Sequence, residues 1–120
     1  MREKRIIRQN EKDLIEFLLI RLNLNPQDFP VDDLVDDYED GKMGSISLGG
    51  DVNAYAGDLI KVEYIDSDQT PVVITLTHDD KSQLLDLDFW KIDFSRLIDY
   101  PTPDKILFPN NYSGFPGHKP

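Results

Sequence analysis

The chain has 120 residues, 39% of them hydrophobic and 30% charged, with a net charge of −10 and a pI near 4.4. That length suits one domain with a single core. The longest apolar run, Phe17 to Ile20, falls far short of the roughly 18–20 residues a membrane span needs. The basic start leads into no signal-type apolar region. The absence of cysteine excludes disulfides, Cys-zinc sites and thiol nucleophiles, and fits a cytoplasmic setting.

The charge is unevenly spread. Residues 1–12 carry five basic and two acidic side chains, a local +3, and the other 108 residues carry 8 basic and 21 acidic, a local −13. Such a surface repels nucleic-acid phosphates and anionic lipid headgroups. It attracts a basic protein partner or a metal cation.

Arg5-Ile6-Ile7-Arg8 reads as a short strand or an arm. Asn10 is the expected N-cap of a helix whose apolar stripe is Leu14, Ile15, Leu18, Leu19 and Leu22. Pro26 and the asparagines before it end this helix. From Val31 to Gly41, the apolar residues Val31, Leu34, Val35 and Tyr38 fall at i, i+3, i+4 and i+7. This spacing predicts a short second helix with Asp32, Asp33, Asp36, Asp37, Glu39 and Asp40 turned outward. The carboxylates come in adjacent pairs, not at the alternate positions of an EF-hand loop. They form the first candidate surface for a basic partner.

After Gly41 the period changes to two. Met43 to Leu48, Leu59 to Asp66, Pro71 to His78 and Leu84 to Phe94 read as four strands of an antiparallel meander. Ile60, Val62 and Tyr64 share an inner face with Val72, Ile74 and Leu76. Lys61, Glu63, Thr75, Thr77, Asp86 and Asp88 form an outer, wet face. In the last strand the apolar face passes from Leu85, Leu87 and Phe89 to Trp90, Ile92 and Phe94, which calls for a bulge or bend. Trp90 is expected to pack against the first helix. Beyond residue 100, frequent prolines predict an extended tail in which only Ile106-Leu107-Phe108 packs. The fold class is α+β: two helices on a four-stranded meander, with residues 1–100 as the domain and 101–120 as the tail.

Catalytic signatures are sparse. His78 beside Asp79 and Asp80 reads as a solvent-facing turn histidine, and His118 lies near the end of the chain. No serine sits in a Gly-x-Ser-x-Gly elbow, and Gly44-Ser45 with Gly49-Gly50 lacks the Gly-Lys-Ser/Thr grip on phosphate. Asp66 and Asp68 read as turn residues with local backbone bonds. Asp86 and Asp88, at i and i+2 of one strand, point the same way and would share a hard cation if further ligands converged on them.

The segment Leu85-Asp86-Leu87-Asp88-Phe89-Trp90-Lys91-Ile92-Asp93-Phe94-Ser95 resembles a recurring L-x-L-D-[FIV]-W-K-x-D-[FY]-S stretch of small uncharacterised bacterial proteins. Arg5-Ile6-Ile7-Arg8, with Leu14-Ile15 following, resembles the N-terminal pattern of the same proteins. The resemblance implies no chemistry. By size and charge the chain is also similar to immunity proteins of bacterial toxin systems, which implies a basic toxin as partner. The resulting expectation is a non-catalytic acidic protein-binding module without a cofactor. Its candidate contacts are the six carboxylates of residues 32–40 together with Asp86 and Asp88. The alternatives are a metal-dependent enzyme using Asp86 and Asp88, or a domain that self-associates through a strand edge.

Overall fold

A computed structural model describes residues 4–38 and 41–108. Glu39, Asp40 and residues 109–120, with His118, lie outside the described residues.

Strand β1 (Arg5–Ile6) leads directly into helix α1 (Gln9–Arg21). The residue preceding the helix is Arg8, in extended backbone, so Asn10 lies within the first turn and is not the N-cap. The cap comes instead from Glu11, whose Oε1 accepts the Arg8 N–H at 2.8 Å. Arg5 holds Glu11 there, its Nη1 and Nη2 reaching the two carboxylate oxygens at 3.0 and 2.7 Å. Leu14, Ile15, Leu18 and Leu19 are buried, as the stripe predicts. Asn23 ends the helix with left-handed backbone (φ 61°), and the Leu24 N–H returns to the Leu19 carbonyl at 3.0 Å.

Among the described residues the sheet has six strands, all antiparallel: β1, β2 (Leu34–Asp37), β3 (Ile46–Ser47), β4 (Tyr55–Ile65), β5 (Pro71–Asp79) and β6 (Leu84–Lys91), in the order β1-β2-β3-β6-β5-β4. The three long strands form the expected meander. The departure lies at its open side, where β3 pairs with β6 and carries β2 and β1 beyond it.

The acidic segment is therefore a strand and not a second helix. Its residues pair with Arg5 and Ile6 on one side and with Ile46 and Ser47 on the other. Val35 and Asp37 point inward, and Leu34 and Asp36 outward. Arg5 makes the inward Asp37 tolerable, since its Nε and Nη2 meet the carboxylate at 2.9 Å each. This bond holds the Asp37 carboxyl below its ordinary range, and the two carboxylates Glu11 and Asp37 raise the Arg5 guanidinium. The 3.6-residue spacing of Val31, Leu34, Val35 and Tyr38 is overruled by this ion pair and by the β3 ladder.

Strand β6 also departs from expectation. Leu85, Leu87, Phe89 and Lys91 are buried in unbroken alternation, so the face does not switch at Phe89. Trp90 points away from the helix and is 49% exposed. The irregularity in this ladder lies between Leu76 and His78, where the Thr77 hydroxyl accepts the Asp86 N–H at 3.1 Å. Gly50 allows β6 to approach, because a Cβ there would stand 2.7 Å from the Leu84 carbonyl oxygen. In the C-terminal segment Ile106 is buried, and Leu107 exchanges two backbone hydrogen bonds with Glu63 on the outer strand β4, at 2.9 and 2.7 Å.

The inward end of β6 is a fully buried ion pair. Lys91 Nζ donates to Asp66 Oδ2 and Asp68 Oδ2, both at 2.8 Å, and to the Arg96 carbonyl at 3.0 Å. Asp66 also accepts the N–H groups of Ile98, Asp99 and Ser67. The two aspartates thus make their local turn bonds and, beyond the sequence expectation, anchor a lysine.

Two outcomes follow from this packing. Leu18→Ala, at a fully buried position, is expected to cost about 2–5 kcal/mol in urea unfolding; a loss within error would mean that the helix does not bury this face. Burial opposes ionisation of Asp66, but the N–H of Ile98, the Lys91 ammonium and the N–H groups of Asp99 and Ser67 outweigh it and hold the carboxyl at about 2, below its ordinary 3.8. The unfolded chain therefore takes up this proton first as pH falls. The stabilisation is complete above 3.8 and disappears as pH drops through about 2. Unfolding free energy followed across that window should fall less steeply for Asp66→Asn than for the parent protein, and equal slopes would contradict the assignment.

Candidate functional site

The outer face of the sheet gathers side chains from five strands. Directly opposed residues share a face, so Asp36 of β2, Ser47 of β3 and Asp86 of β6 form one row across it. Asp88, Thr75 and Lys61 form the next row, and Trp90, Val73 and Glu63 the third. Thr75 and Thr77 belong to this face, as expected, but are covered by their neighbours.

The structure thus brings together three of the eight candidate residues: Asp36, Asp86 and Asp88. Asp32 and Asp33 are exposed on the connection before β2, where the Asp33 carbonyl accepts the Ile7 N–H at 2.8 Å. Asp37 faces inward on Arg5. Glu39 and Asp40 are outside the described residues.

Asp86 and Asp88 are each held by one hydroxyl. The Tyr38 Oη–H donates to Asp86 Oδ1 at 2.7 Å, and the single Ser45 Oγ–H is shared between Asp88 Oδ1 and the Phe89 carbonyl, each at 3.2 Å. Asp88 is exposed, and partial loss of hydration on its concave side raises its carboxyl above the ordinary range against the Ser45 bond, with the like charges of Asp86 and Asp58 adding to the rise and Lys61 opposing it. Among the described residues no three acidic, histidine or cysteine side chains converge on a point suited to a metal ion. The His78–Asp79 pair has no dyad geometry. The Asp79 carboxylate accepts backbone N–H groups of Asp51, Lys81 and Gln83, and the His78 ring meets the Asp79 carbonyl.

Aromatic residues that sequence reading assigned elsewhere complete the face. Trp90 packs edge-on against Phe94 with centroids 5.0 Å apart. Phe94 is 56% exposed and has left-handed backbone (φ 63°). That conformation costs a bulky residue about 1–3 kcal/mol relative to glycine or asparagine. An exposed aromatic at such a position adds little to the core. Trp90, Phe94, Tyr38, Lys42, Met43, Ser45 and Asp88 line one concavity of about 380 Å³. An exposed Trp beside an acidic pair was the available sequence signal, but Lys91, which takes the inward place, resembles a surface residue.

Asp88→Asn keeps the shape and the Ser45 bond while removing a charge that the folded state disfavours. Because the folded carboxyl titrates above the unfolded one, the folded state binds this proton more readily and its stability falls as pH rises through that range. The variant should melt at a higher temperature than the parent at pH 7, with the gap closing below the ordinary 3.8. An equal or lower Tm at pH 7 would contradict the electrostatics described.

The chain belongs to the family described as Domain of unknown function (DUF6984), whose model matches residues 4–101. No curated protein and no solved structure matches it.

Proposed function

As this family supplies no activity to carry over, we propose from the geometry that the chain is a non-catalytic acidic protein-binding module. It engages a basic partner with the outer face of its sheet. The observation that carries this reading is Phe94: a large apolar side chain in strained backbone, exposed, and packed on an exposed Trp90 beside Asp86 and Asp88. Aromatic anchors inside a charged rim are the composition of energetic centres at protein interfaces. The net charge of −10 speeds capture of a cationic partner and adds salt dependence to the on-rate. In its most concrete form this is an immunity protein that covers the cationic active site of a bacterial toxin. Size and acidity support that form. The binding surface lies on β6, β3 and β2, rather than on an acidic helix.

The test separates binding from folding. Phe94→Gly relieves the backbone strain and removes the edge-on contact with Trp90, so stability should stay within about 1 kcal/mol of the parent. Capture of a partner identified with the parent protein should nonetheless be lost. Asp36→Asn with Asp86→Asn should slow association, measured by stopped-flow at low salt, and flatten its salt dependence. Unchanged capture and unchanged on-rates in these variants would overturn the reading.

A further inference from the structure

The concavity beside Trp90 has a specific chemistry. Its walls are the rings of Trp90 and Phe94, and Asp88 lies two residues before Trp90 on the same face of β6. Neighbouring side chains of one strand face stand roughly 7 Å apart, a span that a planar cation can bridge from ring to carboxylate. Asp88 uses only Oδ1, toward Ser45, and Asp86 only Oδ1, toward Tyr38. Each therefore keeps one carboxylate oxygen without a hydrogen bond among the described residues. Lys42 lines the concavity and Lys61, two strands away, favours the Asp88 charge from a distance, but neither forms an ion pair with Asp88 among the described residues. The site's own cations thus leave its acceptor open.

We propose that this concavity receives a single arginine side chain of a protein partner, its guanidinium stacked on the Trp90–Phe94 pair and its N–H fork on Asp88. The inference rests on the protein-binding reading and names the group that reading would capture. A guanidinium fits because it is planar, weakly hydrated and permanently charged. It lies flat on an indole while presenting donors in its own plane. An ammonium offers one point charge, holds its water more strongly and has no ring-stacking face. The loss of hydration and the like charges that oppose ionisation of Asp88 are relieved when a cation arrives.

The single tryptophan of the chain makes the site directly readable, because the protein has one indole N–H resonance. The probe is ethylguanidinium chloride in the millimolar range, added to the intact protein, with ethylammonium chloride and sodium chloride at equal ionic strength as comparisons. Saturable movement of the Trp90 indole signal by ethylguanidinium, with affinity weakened about tenfold in Asp88→Asn, is expected. Movement no larger than with sodium chloride overturns the proposal, as does unchanged affinity in Asp88→Asn. Equal affinity for ethylammonium overturns the selection of a guanidinium. The two readings fail separately. A partner still captured by the outer face of a protein that ignores ethylguanidinium leaves protein binding standing and removes the arginine receptor. Saturable ethylguanidinium binding, with partner capture and on-rates unchanged in Phe94→Gly and in Asp36→Asn with Asp86→Asn, leaves a guanidinium site standing and removes the outer face as the protein-binding surface.

Discussion

Lys91 stands where an alternating strand calls for an apolar side chain, and it satisfies that inward position through charge. Its ammonium draws together the end of β6, the turn after β4 and the backbone of Arg96. Asp66 then collects the N–H groups of Ile98 and Asp99, so one carboxylate decides the path of the chain as it leaves the sheet. Taking both charges out of water is costly, and such a pair adds less stability than its short distances imply. Its bonds tie the segment after β6 to the turn after β4.

The outer face inherits its shape from this arrangement. With Lys91 committed inward, Trp90 must point outward. The tight turn after Lys91, closed by the Phe94 N–H on the Lys91 carbonyl at 2.9 Å, brings Phe94 back over it. The Leu97 N–H bonds to the Lys42 carbonyl at 2.9 Å, and Tyr100 packs against Phe89 with centroids 5.3 Å apart. Gly44, with φ 99°, leaves the room that this segment needs beside Leu97 and Phe89. The strained backbone at Phe94 is therefore held from both sides.

Local patterns were enough to read α1 and the three long strands, since Leu14, Ile15, Leu18 and Leu19 repeat on one period and Val72, Ile74 and Leu76 on another. The misread elements depend on partners far away in sequence. Asp37 becomes an inward strand residue because of Arg5, 32 positions earlier. Lys91 becomes a core residue because of Asp66, 25 positions earlier. In both cases an isolated charge reads as surface, and only the folded chain supplies its counter-charge. The outer face was legible for Asp86 and Asp88 through strand alternation. Trp90 and Phe94 were not, because an aromatic residue is assigned to the core until something else fills the core position.

The setting of Lys91 has a chemical consequence for its amine. The flanking carboxylates raise its pKa against the opposing effect of burial, and its three hydrogen bonds occupy all three ammonium protons. Acylation needs a free, deprotonated amine that a reagent can reach. Lys91 offers none while the domain is closed, whereas an exposed amine such as that of Lys81 reacts directly. The rate at which Lys91 acquires an acyl group is thus governed by how often β6 parts from the turn after β4. The residue acts as an internal clock for the opening of its own fold.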